Sequence, residues 1–218
     1  MVLSRLTGDG GGAASETDMP GGTVRLSFPV YFVRHGQTDW NAARRFQGHT
    51  DVPLNDVGRG QARRNGRRLA CRLFTPESLT FYASPLSRAT ETLEIMLNAL
   101  GMRGASYETD ERLIEIDLGD WNGKTPQEIN SEDPGVFEER EKDKWRYVVP
   151  GGESYENAAD RTRAFLEELR GPCLIAGHGA SGRLLRGYLT GMARDAVPLL
   201  KAPQDKVFRL SGGREAAV

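Results

Sequence analysis

Two cysteines in 218 residues, Cys71 and Cys173, are too few for a disulfide framework, and neither stands in a metal-ligand spacing. Cys173 lies in an apolar run and reads as a small core residue rather than a reactive thiol. No apolar run approaches the length of about 20 residues needed to cross a bilayer, which predicts no membrane association. The first residues show neither the basic start nor the apolar core of a secretory signal, so a cytoplasmic location is expected. A dominant charge is also missing. The formal net charge of −1 removes any overall drive toward nucleic acid or an anionic membrane.

The chain is 38% apolar and 27% charged, ordinary for a globular enzyme of one domain. Its charge is unevenly spread. Arg34 to Arg88 holds ten arginines against four acids, whereas Glu108 to Glu168 holds eighteen acids against eight bases. The first stretch suits a small anionic ligand, although solvated helix faces account for most of its arginines. Residues 1 to about 25 are rich in Gly, Ser, Thr and Asp and predict a flexible tail, because they bury too little apolar surface to offset their ordering entropy. A single domain is expected over residues 26–218.

Three nearly continuous apolar runs read as strands buried on both faces: Pro29 to Val33, Leu79 to Ala83 and Pro172 to Ala176. Val207 to Leu210 is expected to be an edge strand. Helical patterns lie between them, at Gly58 to Phe74, Pro85 to Leu100, Ser154 to Arg170 and Ser181 to Leu189. Ser84-Pro85 has the form of a helix start, an N-cap serine followed by proline at the first helical position. Strands alternating with helices of this length predict an α/β domain with a mostly parallel sheet. Lys124 to Pro150 is polar and reads as an excursion over that sheet.

Two of only three histidines follow a predicted strand and precede glycine, in Arg34-His35-Gly36 and Gly177-His178-Gly179. Open parallel sheets bind ligands beyond the carboxyl ends of their strands, so both rings should converge on one crevice. Arg88 falls in the first turn of the helix after the third strand. That helix's N-terminal N–H groups, Arg34, Arg88 and the imidazoles together predict an anion-seeking pocket. A single histidine after a strand is more often structural; two such turns with two arginines favour chemistry. Phosphoryl transfer needs charge spread over the transferring oxygens, and guanidinium groups supply it at any working pH. His35 is the candidate nucleophile, its lone pair kept available by flanking arginines that lower its pKa. His178 is expected to donate to the same phosphoryl group. No metal and no cofactor are required. A leaving oxygen also needs a proton. Glu115, between apolar neighbours that favour the protonated acid, is the candidate donor, with Glu111, Asp117 and Asp120 as rivals that spacing does not separate.

Arg34 to Asn41, Arg45 to Asn55, Ser84 to Thr92, Glu115 with Gly119 and Trp121, and Ala176 to Gly179 occur in the order found in the histidine phosphatase superfamily. Residues 29 to 190 thus resemble this phosphoglycerate mutase-like family. The resemblance implies a three-layer α/β/α sandwich and a phosphohistidine on His35. It also implies a phosphoryl clamp of Arg34, Arg88 and His178, and Glu115 as proton donor and then base. By the same resemblance Asn41, Gln47 and Gly48 line the phosphate and substrate side, and His49 is loop or rim. The segment from Glu115 to His178 looks shorter than in cofactor-dependent mutases. Water should therefore reach the phosphoenzyme, which favours hydrolysis of a small phosphorylated metabolite over transfer within it. A phosphoglycerate mutase and a non-catalytic phospho-ligand binder are the alternatives; a homodimer is compatible with the sequence.

Three other motif matches fail on placement or spacing. Gly177-His178-Gly179-Ala180-Ser181-Gly182 fits the dinucleotide fingerprint, but only 36 residues follow it, too few for the remaining βαβ units. Gly119 to Thr125 is one residue short of a nucleotide-binding P-loop, and Pro126 follows at once. Ser181 lacks the final glycine of a nucleophile elbow, where Arg183 stands instead.

Overall fold

A computed structural model describes residues 18–73 and 75–218. Strand β1 (Val30–Arg34) forms the centre of a six-stranded sheet with β4 (Cys173–Gly177). The other strands are β2 (Thr80–Ala83), β3 (Glu108–Thr109), β5 (Val207–Ser211) and β6 (Arg214–Ala217), in the order β3-β2-β4-β1-β5-β6. The first four in that order are mutually parallel; β5 runs antiparallel to β1, and β6 antiparallel to β5. Strand β5 is not the edge strand the sequence predicts, because β6 pairs along its outer side.

Alternation along β1 explains why its apolar run is continuous. Val30 and Phe32 face one core with Phe165, Leu184 and Ile175, while Tyr31 and Val33 face the other with Leu69, Leu93 and Met96. Helices α2 (Asp56–Ala70) and α3 (Ser87–Ala99) carry apolar residues to the second core, and α6 (Tyr155–Glu168) and α7 (Gly179–Thr190) to the first. The result is the expected three-layer sandwich. Helix α7 comes close to the sheet only because residue 182 is glycine: a Cβ there would overlap the Phe32 ring.

Local chemistry sets most helix starts. Asn55 accepts from Gly58 N at 2.9 Å to cap α2, and Ser154 forms a capping box with Asn157 for α6. The short helix α1 (Asp39–Ala42) is likewise boxed by Thr38 and Asn41. Ser84 does not cap α3. That helix begins two residues later than the sequence suggests, after Leu86, and the carboxylate of Asp51 accepts from Ser87 N at 2.9 Å instead. The polar excursion folds as two short helices, α4 (Pro126–Glu132) and α5 (Val136–Lys142).

Phe74, the last residue of the first predicted helix, lies outside the described residues, as does the predicted tail over residues 1–17. From residue 18 to 25 that expectation does not hold. Met19 and Val24 are buried, Val24 N donates to Tyr188 O at 3.0 Å, and Arg163 donates to the carbonyls of Pro20 and Gly22. Two apolar side chains and the guanidinium contacts outweigh the entropy of a glycine-rich strap. Among the described residues, no helix is long and apolar enough to cross a membrane.

Candidate active site

The register aligns Val33 with Ala176, and Ala176 with Ala83, so three strands end level. Backbone bonds continue the ladder one step further, with His35 N donating to Gly177 O at 2.9 Å and Ser84 N to Ala176 O at 3.0 Å. His35, His178 and Ser84 therefore project from one sheet edge. The ring centroids of His35 and His178 lie 5.2 Å apart, both rings buried.

A carbonyl only accepts, so the 2.7 Å contact between His35 Nδ1 and Gly36 O puts the proton on Nδ1. The neutral ring then carries its lone pair on Nε2, as a nucleophile needs. His178 is committed differently. Arg88 Nε donates to its Nδ1 at 3.3 Å, and its Nε2 therefore donates to Ser84 Oγ at 2.7 Å. Both nitrogens are engaged, so His178 acts here on Arg88 and Ser84 rather than offering a free donor to a phosphoryl group.

Arg88 is fully buried. Besides His178 it holds Thr50 O at 2.7 Å and Gly48 O at 2.8 Å, with Asp51 4.0 Å away. Gly48 has φ +47°, and a side chain there would also collide with Asn122, so this carbonyl can be presented only by glycine. Arg34 donates one Nη to Ala202 O at 2.8 Å, while its buried Nε has no partner. Burial pulls the Arg34 guanidinium down to about 10; Glu115 opposes this and Arg183 and Arg88 add to it, and the group stays charged at neutral pH. The predicted donors at the α3 N-terminus do not line the pocket, because Asp51 and Ser84 take Ser87 N and Leu86 N.

Glu115 is the one carboxylate of the four rivals that lines the cavity. Glu111 and Asp120 are exposed, and Asp117 accepts from Gly119 N and Asn122 Nδ2, which shapes its loop. The surroundings of Glu115 differ from the apolar ones its neighbours in sequence suggest. Its carboxylate accepts from Gly179 N at 2.9 Å, Ala180 N at 3.0 Å and Ser181 N at 3.2 Å, occupying the positive end of α7.

The cavity, about 420 Å³, is also lined by Asn41, Gln47 and Gly48, as expected. Asn41 Oδ1 accepts from Gln204 Nε2 at 2.8 Å, and Gln47 Oε1 accepts from Thr38 Oγ1 at 3.0 Å. His49, read as loop or rim, lies exposed in the turn that follows Gln47 and is not among the residues lining the cavity. Sequence reasoning missed a second set of cations in the wall: Arg44, Arg45, Arg140, Lys144 and Arg183. Arg183 had a usable signal, since it lies four residues after Gly179 on one helix face. Arg140 had none; it reaches the cavity through the fold of the excursion.

Both imidazoles are held well below the usual 6.5, by burial first. Arg34 and Arg88 add to the depression at His35; Arg88, His35 and Arg34 do so at His178. Above about pH 6.5 neither the folded nor the unfolded state protonates these rings, and they add no slope to stability. Below it the unfolded chain takes up protons that the native state refuses. Stability should then fall by up to about 1.4 kcal/mol per pH unit for each ring. Urea titrations at pH 7, 6 and 5 check this; a stability that does not change between pH 6 and 5 would contradict it.

A profile of the histidine phosphatase superfamily (branch 1) matches residues 30–216. Phosphoglycerate mutase-like protein 4 of Arabidopsis thaliana is 35% identical over 191 residues, covering 84% of this chain and 80% of that protein. Glucosyl-3-phosphoglycerate phosphatase of Mycolicibacterium vanbaalenii is 35% identical over 184 residues, 78% of each chain. The 2,3-bisphosphoglycerate-dependent phosphoglycerate mutase of Azorhizobium caulinodans is 36% identical, over 77% of this chain and 84% of that one. Among solved structures, a mycobacterial glucosyl-3-phosphoglycerate phosphatase complexed with VO3 superposes with a TM-score of 0.74 at 29% identity, covering 87% of this chain and 97% of that one. With the two histidines, two arginines and one glutamate gathered at a single sheet edge, and the profile matched across almost the whole described chain, the protein belongs to the histidine phosphatase superfamily, branch 1.

Proposed function

We propose that the protein is a phosphomonoesterase that hydrolyses a small phosphorylated metabolite through a phosphohistidine on His35, without a metal. The carrying observation is the tautomer of His35. Its proton is tied to Gly36 O, and no described protein group bonds Nε2 in a cavity rimmed by guanidinium groups. In the first step the Nε2 lone pair attacks phosphorus, the ester P–O bond breaks, and the leaving oxygen takes a proton from Glu115. In the second, the Glu115 carboxylate takes a proton from water, the water oxygen attacks phosphorus and the P–N bond breaks, releasing inorganic phosphate. An incoming phosphate dianion and the Glu115 carboxylate repel each other at the α7 terminus; a proton on Glu115 relieves this and prepares the acid. Arg34, Arg88 and Arg183 supply the charge that spreads over the equatorial oxygens.

The cavity wall holds seven arginines and lysines against two carboxylates, Glu115 and Glu141. That excess favours a substrate with a second anionic group away from the scissile phosphate. Arg140 is 8% exposed, has only the neighbouring Glu141 as ion partner among the described residues, at 3.1 Å, and stands with Arg183 and Lys144. Two of the relatives are named for phosphoglycerates, which carry a phosphate and a carboxylate. The reading extends to a cytoplasmic enzyme with a small-molecule partner.

Phosphate release from p-nitrophenyl phosphate in the presence of EDTA tests enzyme against binder, and well-folded protein without turnover would refute the proposal. Arg140→Met should lower kcat/KM for 3-phosphoglycerate by about 10- to 100-fold and for the aryl ester by no more than about twofold, the worth of one charge-assisted hydrogen bond. The named mutase relatives favour one competing reading, isomerisation of 3-phosphoglycerate without phosphate release; the same assay separates the two.

A further inference from the structure

The third histidine stands where the phosphoryl clamp and the acid loop meet. We propose that His49 is a positioning residue that sets Glu115 in register with the Arg88 clamp; this rests on the proton-donor role of Glu115 proposed above. Its Nε2 donates to the main-chain carbonyl of Glu115 at 2.8 Å. The residues on either side of it, Gly48 and Thr50, offer the carbonyls that hold the two Nη atoms of Arg88. One tripeptide therefore grips the clamp through two carbonyls and the acid through one imidazole.

Glu115 is fixed from opposite ends. The α7 N–H groups hold its carboxylate, while its carbonyl accepts from His49 and, at 3.2 Å, from Arg161 on α6. Around the His49 ring stand Asp117, 3.7 Å from Nδ1, and Glu153, 3.8 Å from Nε2. Glu153 is also paired with Arg161 at 3.1 Å and accepts from Asp117 N at 3.0 Å. Without the imidazole, only Arg161 on α6 would still hold that carbonyl among the described residues, and the tie to the tripeptide that grips Arg88 would be lost. The acid loop would then be free to drift relative to the bound phosphoryl group. Proton transfer demands heavy-atom distances within a few tenths of an ångström, so drift harms that step before any other. The ring is 39% exposed, which makes a folding role the weaker account of its contacts.

The test compares kcat/KM for p-nitrophenyl phosphate, whose leaving group needs little proton help, with that for 3-phosphoglycerate, an alkyl ester that needs much. His49→Ala and His49→Phe, which lack the donor, should slow the alkyl ester about 10- to 100-fold and the aryl ester less than about threefold. His49→Gln, which keeps an N–H for the carbonyl, should recover most of the loss. Equal slowing of both esters, no slowing of either, or failure of Gln to restore the rate would overturn the assignment, whatever the thermal melts show. Glu115→Gln is the reference. If it slows the alkyl ester selectively and the His49 variants do not, only the His49 role falls. If Glu115→Gln slows both esters equally, the acid assignment falls and the positioning role falls with it.

Discussion

His35→Ala should abolish turnover, by about 10⁵-fold or more, in a protein that still folds. The size of the effect follows from what remains. Arg34, Arg88 and Arg183 would still bind a phosphate ester, but no other described group at the site presents a lone pair on a neutral nitrogen. His178 cannot substitute, because Arg88 and Ser84 occupy both its nitrogens. The fold should survive because His35 contributes a single local side-chain bond, to Gly36 O. Removing it also takes one imidazole out of a buried, cationic setting that opposes its protonation. The variant should therefore lose less stability than the parent between pH 6 and 5, by up to about 1.4 kcal/mol per pH unit. Rapid-quench trapping with labelled substrate should yield an acid-labile phosphoprotein from the parent and none from the variant. A variant that retained its phosphoenzyme would remove His35 from the nucleophile's role.

Substituting Arg88 should damage activity and stability together. Its guanidinium is both part of the proposed clamp and the tie for two backbone carbonyls and a histidine, with no solvent exposure. Burial lowers its pKa, opposed by Glu115 and Asp51, so holding a charge there has a cost that its bonds must exceed. Arg88→Met relieves that cost but leaves Gly48 O, Thr50 O and His178 Nδ1 without their donor. Charge-assisted bonds are worth roughly 1.5–3 kcal/mol each, so three of them outweigh the relief and a net loss of about 2–4 kcal/mol is expected. In kcat/KM the loss should reach about 10³-fold, the scale of removing one preorganised donor. Lysine should restore little, because one ammonium cannot span carbonyls that the planar fork reaches at once. Guanidinium denaturation and aryl phosphate kinetics on both variants check this. Near-normal kcat/KM in Arg88→Lys would rule out the forked clamp.

The residues legible in the amino-acid sequence share one property: their information is local. The apolar runs at Val30–Arg34 and Cys173–Gly177 declare buried strands because both of their faces are covered, and His35 and His178 inherit a common sheet edge from that. Glu115 stood beyond such reasoning. Its neighbours Ile114 and Ile116 suggested an apolar pocket, whereas its carboxylate lies on the N-terminus of a helix 64 residues away in sequence. Residue logic made it the candidate on that mistaken ground, and resemblance to a family set it above Glu111, Asp117 and Asp120. The edge assignment of Val207 to Leu210 failed for a related reason, since β6 is four exposed residues held by pairing with β5 and by the ion pair of Glu215 with Arg186 on α7. Ser84 looked like a helix cap and is instead the partner of His178, a contact across 94 residues.

Hydrophobic periodicity, turn chemistry and the alternation of strands with helices were written into the chain itself, and they determined an α/β domain with a mostly parallel sheet and two imidazoles and two guanidinium groups at one edge. The tertiary structure alone decided what each group is bonded to. It assigned the proton of His35 to Nδ1, committed both nitrogens of His178, brought Arg140 and Arg183 into the cavity wall, and set His49 against the acid loop. Tautomers, pairings and pocket walls depend on atoms within about 3 Å of one another. Such atoms come from residues tens of positions apart, and no local pattern records them.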